Sequence, residues 1–137
     1  MLIHKVVNSF LMHNGKLLIL KRSQQVGTQR GKWSGVSGYL EESSALDQAY
    51  KEISEETGLQ KADLTMQYAG DPIDIPDSQK DGVYWRVYPF LFIVTSPEKV
   101  VLDWEHDEMR WVDPSEVKNY DTVPDLCRVM KSVMSDL

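Results

Sequence analysis

Apolar and polar residues alternate along the first part of the chain in two runs that a short polar break separates. The runs cover 4–13 and 16–22, both rich in Val, Ile, Leu and Phe, and the break is Asn14-Gly15. An Asn-Gly pair adopts the positive φ angles of a tight hairpin turn at little cost. The pattern predicts a β-hairpin, followed by an exposed polar loop over 23–32.

The hydrophobic period changes from that of a strand to that of a helix after a short strand predicted over 33–40. Apolar or small residues then recur at steps of three and four, namely Leu46, Ala49, Tyr50, Ile53 and Thr57. Such a stripe is the buried side of a helix. Ser44 precedes Asp47 by three residues, as in a capping box, and Gly58 suits the left-handed position that ends a helix. A helix is predicted over 45–57.

The second half of the chain predicts further strands and a closing helix. The strands are expected over 64–70, 83–95 and 109–112, and the helix over 122–134. Pro89 interrupts the longest strand and is expected at a bulge or a sheet edge, because proline cannot donate to a ladder. This order of elements predicts an α+β fold in which helices pack on a mixed β-sheet.

Length and composition set the broad class. A chain of 137 residues with 42% hydrophobic residues predicts a single domain over 1–137. The N-terminal segment has neither the apolar core of a signal peptide nor the roughly 20 apolar residues of a membrane span. We therefore expect a cytoplasmic protein with no membrane association. The single cysteine, Cys127, is expected in the core.

Charge is distributed unevenly along the chain. Residues 1–40 contain six Lys or Arg and no acid, whereas the rest contains all 21 acids and nine bases. A basic surface facing an acidic one suits a site where metal ions meet phosphates, and uneven surface solvation is an equal alternative. The net charge of −6 and the lack of a long basic stripe argue against an extended nucleic-acid partner.

Three glutamates share one side of the predicted helix. Glu52, Glu55 and Glu56 stand at i, i+3 and i+4, and we expect them opposite the apolar stripe. Like charges at this spacing cost roughly a few tenths of a kcal/mol each, and acids near a helix C-terminus oppose its dipole. Hard divalent cations remove that repulsion through oxygen ligands. A solvated acidic face is the alternative, and the surrounding motif decides between the two.

The stretch from Gly38 to Leu59 resembles the Nudix box. The pattern of that box is Gly, five residues, Glu, seven residues, Arg-Glu-apolar-x-Glu-Glu-x-Gly-apolar, and residues 51–59, Lys-Glu-Ile-Ser-Glu-Glu-Thr-Gly-Leu, match its second half with one substitution. The order of a hairpin, a loop-helix-loop, further strands and a terminal helix is also that of the family. The resemblance therefore covers nearly the whole chain.

Three positions depart from the box. Gly38 is one residue too close to the helix motif, Ser43 stands where the box has its first glutamate, and Lys51 replaces its arginine. In the family this glutamate and arginine resemble structural partners, and lysine cannot make the planar bidentate contact of arginine. The departures concern the rigidity of the loop and the rate more than metal binding. Glu41 or Glu42 is expected to supply the missing carboxylate.

The resemblance implies a Nudix-type α/β/α sandwich and a MutT-like pyrophosphohydrolase. Its substrate would be a small molecule containing a nucleoside di- or triphosphate, cut at a phosphoanhydride bond with Mg²⁺ or, in its place, Mn²⁺. The implied metal ligands are Glu52, Glu55, Glu56 and the backbone carbonyl of Ser37. Glu52 or Glu105 would orient or deprotonate the attacking water, with Glu108 as the second choice outside the box.

Basic and aromatic residues supply candidate contacts with the substrate. They are Arg22, Arg30, Lys32 and Trp33. Arginine binds phosphate well, and a plain surface cation is equally expected. Trp33, Tyr84 and Trp85 can stack on a base, although such residues are more often core. The histidines at 4, 13 and 106 have no zinc-site spacing. The run from Trp33 to Glu41 resembles members that cut nucleoside or pterin triphosphates.

Two other functions remain open on the sequence. One is a catalytically weak Nudix-fold protein that binds a nucleotide or metal, for which Ser43 and Lys51 are the motivation. The other is an isoprenoid diphosphate isomerase, which requires a cysteine near the site, whereas Cys127 lies in the terminal helix. A homodimer is a further possibility, since the apolar run Tyr88–Val94 is either an interface strand or a central one.

Overall fold

The computed structural model describes residues 1–134. Its strands are β1 (Leu2–His13), β2 (Lys16–Arg22), β3 (Trp33–Ser34), β4 (Val36–Tyr39), β5 (Leu64–Ala69), β6 (Ile73–Pro76), β7 (Val83–Val94) and β8 (His106–Val112). Its helices are α1 (Ala45–Thr57) and α2 (Leu126–Val133), and short 3-10 helices cover Lys61–Asp63, Pro97–Lys99 and Pro114–Asn119. Neither α-helix of this described part combines the length and hydropathy needed to cross a membrane.

The strands form one mixed sheet, as predicted. β1 and β7 run parallel at its centre, in register from Leu2 opposite Val83 to Met12 opposite Ile93. The other paired strands are antiparallel. The predicted hairpin joins β1 to β2, and Asn14 and Gly15 have φ angles of 49° and 76°.

β7 is a central strand, so Pro89 does not lie at an edge. β1 pairs with one side of β7, and β5 and β6 pair with the other. Pro89 falls between the segment that pairs with β5 and the one that pairs with β6, and it has no partner in either. The bulge lies in β5, between Met66 and Tyr68. The expectation of a bulge or edge at Pro89 is thus wrong, and the exchange of partner strands accommodates the proline instead. The run Tyr88–Val94 is part of this central strand, paired with β1 from Tyr88 to Ile93 and with β5 from Phe90 to Val94.

The two α-helices cover opposite faces of the sheet. α1 packs on apolar residues that include Val7, Leu11 and Phe92. α2 packs on the other face, against a cluster that includes Phe10 and Ile19. The alternation of these positions along β1 and β2 separates the two clusters, because successive strand residues point to opposite faces. The result is the helix, sheet, helix sandwich that was predicted.

Long-range pairing changes several predicted boundaries. The strand expected over 33–40 divides at Gly35, where a Cβ would lie 3.0 Å from Ser9 O, so β3 pairs with β2 and β4 with β1. The closing helix begins at Leu126 instead of residue 122, because Thr122 forms a bridge with Trp33. β8 starts at His106, three residues before the predicted start at residue 109. The short strand β6 was not predicted. Cys127, expected in the core, is only half-buried against the α2 cluster.

Candidate active site

Helix α1 has the predicted ends, and these ends fix where its glutamates lie. Ser44 Oγ accepts a hydrogen bond from Asp47 N at 3.1 Å. Gly58 has a φ angle of 76°, and its N–H donates to Ser54 O. The side-chain cap satisfies one of the free amides of the first turn, and the left-handed glycine ends the last.

The three glutamates of α1 differ in burial. Glu56 is only 2% exposed, Glu52 is half-buried and Glu55 is exposed. The expectation that all three lie opposite the apolar stripe is wrong for Glu56, which is buried on the same side of the helix as Ala49 and Ile53. Glu56 thus lies on the buried side of α1, Glu52 at the border of that side and Glu55 on the exposed side.

Gly38 in β4 brings the backbone close to Glu52. A Cβ added at Gly38 would overlap the carboxyl group of Glu52, so no other residue fits there without displacing that group. The carbonyl of Ser37 belongs to the peptide that joins it to Gly38. The proposed carbonyl ligand is therefore adjacent in the chain to the glycine that contacts Glu52.

A second group of polar residues approaches from the segment that leads into β8. Ligand atoms of Glu56, Glu105 and His106 all lie within 4.8 Å of one another. Asp103 Oδ1 accepts from Glu105 N at 3.2 Å and lies 3.0 Å from His106 Nδ1. His106 Nε2 lies 3.6 Å from Glu56 Oε1. The two parts of the site, 50 residues apart in sequence, thus meet at Glu56.

The structure separates the two glutamates that were candidates outside the box. Glu105 joins Glu56 and His106, and its carbonyl accepts from Ser23 N at 2.7 Å. Glu108 instead accepts from Arg110 Nε at 2.9 Å. Glu105 is therefore the one that lies in the carboxylate cluster.

Burial and mutual repulsion raise the pKa values of these acids. Burial raises the pKa of Glu56 well above its ordinary value, and a hydrogen bond with Glu52 and the charges of Glu52, Glu105 and Asp103 raise it further. Burial is also the main cause that raises the pKa of Glu52. The pKa of Glu105 is raised by burial and by the charge of Asp103. Each shift reflects the cost of burying carboxylates close to one another, since burial and like charges disfavour the ionised form.

These residues fit a divalent cation. Glu56 Oε2 is buried, and no donor within residues 1–134 makes a hydrogen bond to it. An ionised carboxylate oxygen in that position requires a counter-charge. The oxygens of Glu52, Glu56 and Glu105 are the hard ligands that Mg²⁺ and Mn²⁺ accept. Glu55 lies at the exposed rim, where its charge contributes to the raised pKa of Glu52.

Sequence reasoning missed two residues of the site. His106, expected to have only a structural or solvent role, is buried between Asp103 and Glu56. No local spacing marks it, because Glu56 reaches it only through the fold. Gln48, which is 1% exposed, donates from Nε2 to Glu52 Oε1 at 2.8 Å. The sequence signal for Gln48 is its position four residues before Glu52, which makes the two side chains neighbours on the helix surface.

Lys51, one of the departures from the box, has a partner in the loop before α1. Lys51 Nζ lies 3.3 Å from Glu42 Oε1, so Glu42, one residue before Ser43, supplies the carboxylate that pairs with Lys51. Both side chains of this ion pair are exposed by more than 40%. Ser43 is exposed and does not take part in the pair.

The basic residues mainly organise the loop over 23–32. Arg22 Nε and Nη2 both donate to Thr28 O, at 3.1 and 3.0 Å. Arg30 Nε donates to Val26 O at 2.7 Å. The charge of Arg22 also acts on Glu105, whose pKa it lowers against the larger effect of burial. Of the three predicted basic contacts, Arg22 is the one whose charge acts on Glu105.

Lys32 and Trp33, two predicted substrate contacts, both have partners within the fold. Lys32 Nζ forms an ion pair with Asp121 at 3.0 Å. Trp33 is only 8% exposed and packs edge-on against Tyr120, with Arg110 above its ring. Because its ring belongs to the α2 core, Trp33 offers no open stacking surface, which corrects that expectation.

Trp85 belongs to a small aromatic group. Its ring lies 4.8 Å from that of His4, and its Nε1 donates to Asp77 Oδ2 at 3.0 Å. The exposed ring of Tyr39 lies 6.0 Å from it. His4 thus packs against aromatic rings, and His13 makes a structural hydrogen bond, with its Nδ1 2.7 Å from Val94 O.

The chain is similar to known proteins over almost its whole length. The family model for the NUDIX domain matches residues 2–133. The nucleoside triphosphatase NudI of Klebsiella pneumoniae (strain 342) is 27% identical over 123 residues, which cover 85% of this chain and 86% of that protein.

Two solved structures share the fold at low identity. The E. coli dihydroneopterin triphosphate pyrophosphohydrolase has a TM-score of 0.75 and 16% identity, covering 98% of this chain and 96% of that one. A C. elegans Ap4A hydrolase binary complex has a TM-score of 0.74 and 16% identity, covering 99% and 96%. With a matching fold and a family match that extends from residue 2 to residue 133, this chain belongs to the Nudix family.

Proposed function

We infer that the protein is a metal-dependent hydrolase that cuts a phosphoanhydride bond in a small molecule containing a nucleoside di- or triphosphate. The observation that carries this inference is the buried carboxylate of Glu56, which faces Glu105 and has an oxygen without a donor. The names of similar proteins, a nucleoside triphosphatase and a dihydroneopterin triphosphate pyrophosphohydrolase, favour triphosphates. The family match over 2–133 supports treating the chain as one domain.

The proposed ligands of Mg²⁺, or of Mn²⁺ in its place, are the carboxylates of the box and one backbone oxygen. They are Glu52, Glu55, Glu56 and the carbonyl of Ser37. When bound, the cation neutralises charge on the phosphoryl oxygens and makes water easier to deprotonate. Gly38 contributes by letting Glu52 lie against β4.

Glu105 is the better candidate for the base that accepts a proton from the attacking water. Glu52, the other candidate, already accepts a hydrogen bond from Gln48. Burial raises the pKa of Glu105, as it does that of Glu52, and a raised pKa makes either carboxylate a stronger proton acceptor. Asp103, which accepts from Glu105 N, fixes the backbone of this residue.

The proposed phosphate contact is Arg22. It ends β2 beside the segment that contains Glu105, and its guanidinium also orders the loop over 23–32. Arg30 is a second candidate, while the ion pair of Lys32 with Asp121 lowers its value as a free cation. Arginine near a metal site is suited to orient a phosphate by paired hydrogen bonds.

The competing functions have less support. The motivation for a catalytically weak binding protein was the loss of two box residues, and the Lys51–Glu42 ion pair joins the loop to α1 in their place. The isomerase requires a cysteine at the site, whereas Cys127 packs with the α2 cluster on the other face of the sheet.

Release of phosphate or pyrophosphate tests the proposal. The panel contains nucleoside triphosphates, dinucleoside polyphosphates and nucleotide sugars, each with Mg²⁺ or Mn²⁺ and with EDTA. We expect metal-dependent turnover of one class, strongest for a triphosphate, and its loss in Glu56→Gln. Glu116→Gln, an exposed glutamate outside the site, is the charge-matched control. Mn²⁺ binding without turnover of any compound would favour the binding protein.

A further inference from the structure

The side chain of Gln48 spans the gap between the loop before α1 and the carboxylate of Glu52. Its Oε1 accepts hydrogen bonds from the backbone N–H groups of Glu41 and Glu42, both at 2.9 Å. Its Nε2 donates to Glu52 Oε1 at 2.8 Å. Gln48 is 1% exposed, so these bonds are formed by a buried side chain.

Only a side-chain amide satisfies both ends of this arrangement. Two N–H donors converge on one end, which requires an acceptor with two lone pairs, and a carboxylate lies at the other end, which requires a donor. The orientation of the amide follows from these partners. An isosteric glutamate at this position would keep the first contact and place a second carboxylate against Glu52.

The other contact that braces the loop is weaker. The Lys51–Glu42 ion pair is solvent-exposed on both sides, and exposed ion pairs contribute little to stability and are screened by salt. The hydrogen bonds to Gln48 are shielded by burial. Gln48 therefore provides the buried side-chain contact between α1 and the loop at Glu41 and Glu42.

Glu52 is confined on two sides. Gly38 leaves no space between β4 and the carboxyl group, and Gln48 holds Oε1 by a hydrogen bond. We propose that Gln48 is a positioning residue, which orients the Glu52 carboxylate for the metal and couples that orientation to the conformation of the loop at Glu41 and Glu42. The role in turnover rests on the proposed hydrolase function, whereas the role in metal binding does not.

Two substitutions distinguish the contact of Gln48 with the loop amides from its contact with Glu52. Gln48→Glu, in its ionised form, retains an acceptor for the loop amides but has no donor for Glu52. Gln48→Met retains the approximate volume and adds no charge but removes both contacts. Gln67→Glu and Gln67→Met, at an exposed position of β5, are the matched controls.

Amide hydrogen exchange and metal titration test the proposal without turnover. We expect the amides of Glu41 and Glu42 to keep their protection in Gln48→Glu and to lose it in Gln48→Met. We also expect Gln48→Met to bind Mn²⁺ about tenfold more weakly than wild type, a size typical for the loss of a residue that orients a ligand. Unchanged Mn²⁺ affinity in Gln48→Met, with wild-type thermal stability, would overturn the metal-orienting role.

Turnover supplies the third measurement. At saturating metal we expect kcat to fall about 10- to 100-fold in Gln48→Glu, although its loop amides stay protected. A purely structural brace predicts wild-type kcat in this variant, and that result would overturn the proposal. If wild type itself turns over no substrate, the proposed hydrolase function fails, and the exchange and Mn²⁺ data still decide the role of Gln48.

Discussion

The two α-helices of this protein bury different kinds of residue. α2 buries only apolar side chains, those of Leu126, Val129, Met130 and Val133. α1 buries Ala49 and Ile53 together with the polar Gln48, Glu56 and Thr57. Both helices pack on the same sheet, one on each face. The two helices therefore have similar positions on the sheet but differ in the chemical nature of the side chains that they bury.

Residues buried by α2 contribute to stability, whereas the buried polar residues of α1 contribute to the chemistry of the site. Burying apolar area stabilises α2 without further requirement. Burying Glu56 costs free energy, as its raised pKa shows, unless a positive charge compensates for it. Substitutions of the apolar residues that α2 buries should therefore destabilise the fold and leave the chemistry intact. Substitutions of the polar residues around α1 should impair the chemistry and leave the stability largely unchanged.

The largest expected effect is on the α1 side, at Glu105. Glu105→Gln should lower kcat by about 10²- to 10⁴-fold, because removal of a general base typically has that cost. Its stability should not fall, because the substitution removes a half-buried charge whose pKa is raised. Steady-state kinetics at saturating metal provide the measurement. Glu108→Gln, which breaks only the pair with Arg110, serves for comparison, and equal losses in both variants would contradict the assignment.

On the α2 side the largest effect is expected at Met130. Met130→Ala removes a side chain that is 2% exposed and should lower the free energy of unfolding by about 2–5 kcal/mol. Urea denaturation measures this change. Arg128→Ala, at an exposed position of the same helix, should change it by less than about 0.5 kcal/mol. A loss of Mn²⁺ affinity in folded Met130→Ala would break the separation between the two faces.

Gly38 tests the α1 side further, because a methyl group at this position would overlap the carboxyl group of Glu52. Gly38→Ala should displace the Glu52 carboxylate and lower kcat about 10²-fold, the size expected when a reacting group is misplaced by about 1 Å. Gly27→Ala is the control, since a Cβ at Gly27 meets nothing within 4 Å. Kinetics and the melting temperature are measured together, and wild-type kinetics in Gly38→Ala would show that Glu52 need not lie there.

The pH dependence of stability reports the charge that α1 buries. Without metal, the folded pKa of Glu56 lies above its ordinary value of 4.5, so its proton stabilises the fold below that pH. This contribution is lost as the pH rises through the raised pKa. In EDTA, wild type should therefore lose stability relative to Glu56→Gln as the pH rises above about 4.5. Thermal unfolding across this range tests the sign, and parallel curves would contradict it.

The smallest effect is expected at Lys51. Lys51→Met removes an ion pair whose partners are both exposed, so the melting temperature should stay within about 2 °C of wild type. Scanning calorimetry at low and high salt measures it. A large decrease would mean that this pair, and not Gln48, holds the loop against α1.

The sequence determined the elements that depend on neighbouring residues. The turn at Asn14-Gly15 and the bounds of α1 were predicted correctly, because they follow from local φ preferences, capping and hydrophobic period. The Nudix resemblance followed from the local motif over 51–59, and the family match confirmed it. The mixed sheet followed from the order of these elements.

Only the tertiary structure decided which polar groups are buried together. Glu56 and His106 are 50 residues apart, and no local pattern could predict that the approach of β8 to α1 would bury both. The burial of Trp33 depends in the same way on Tyr120, and the position of Pro89 on the exchange of β5 for β6. Local preferences act over a few residues, whereas desolvation and pKa depend on all groups that the fold brings within a few ångströms.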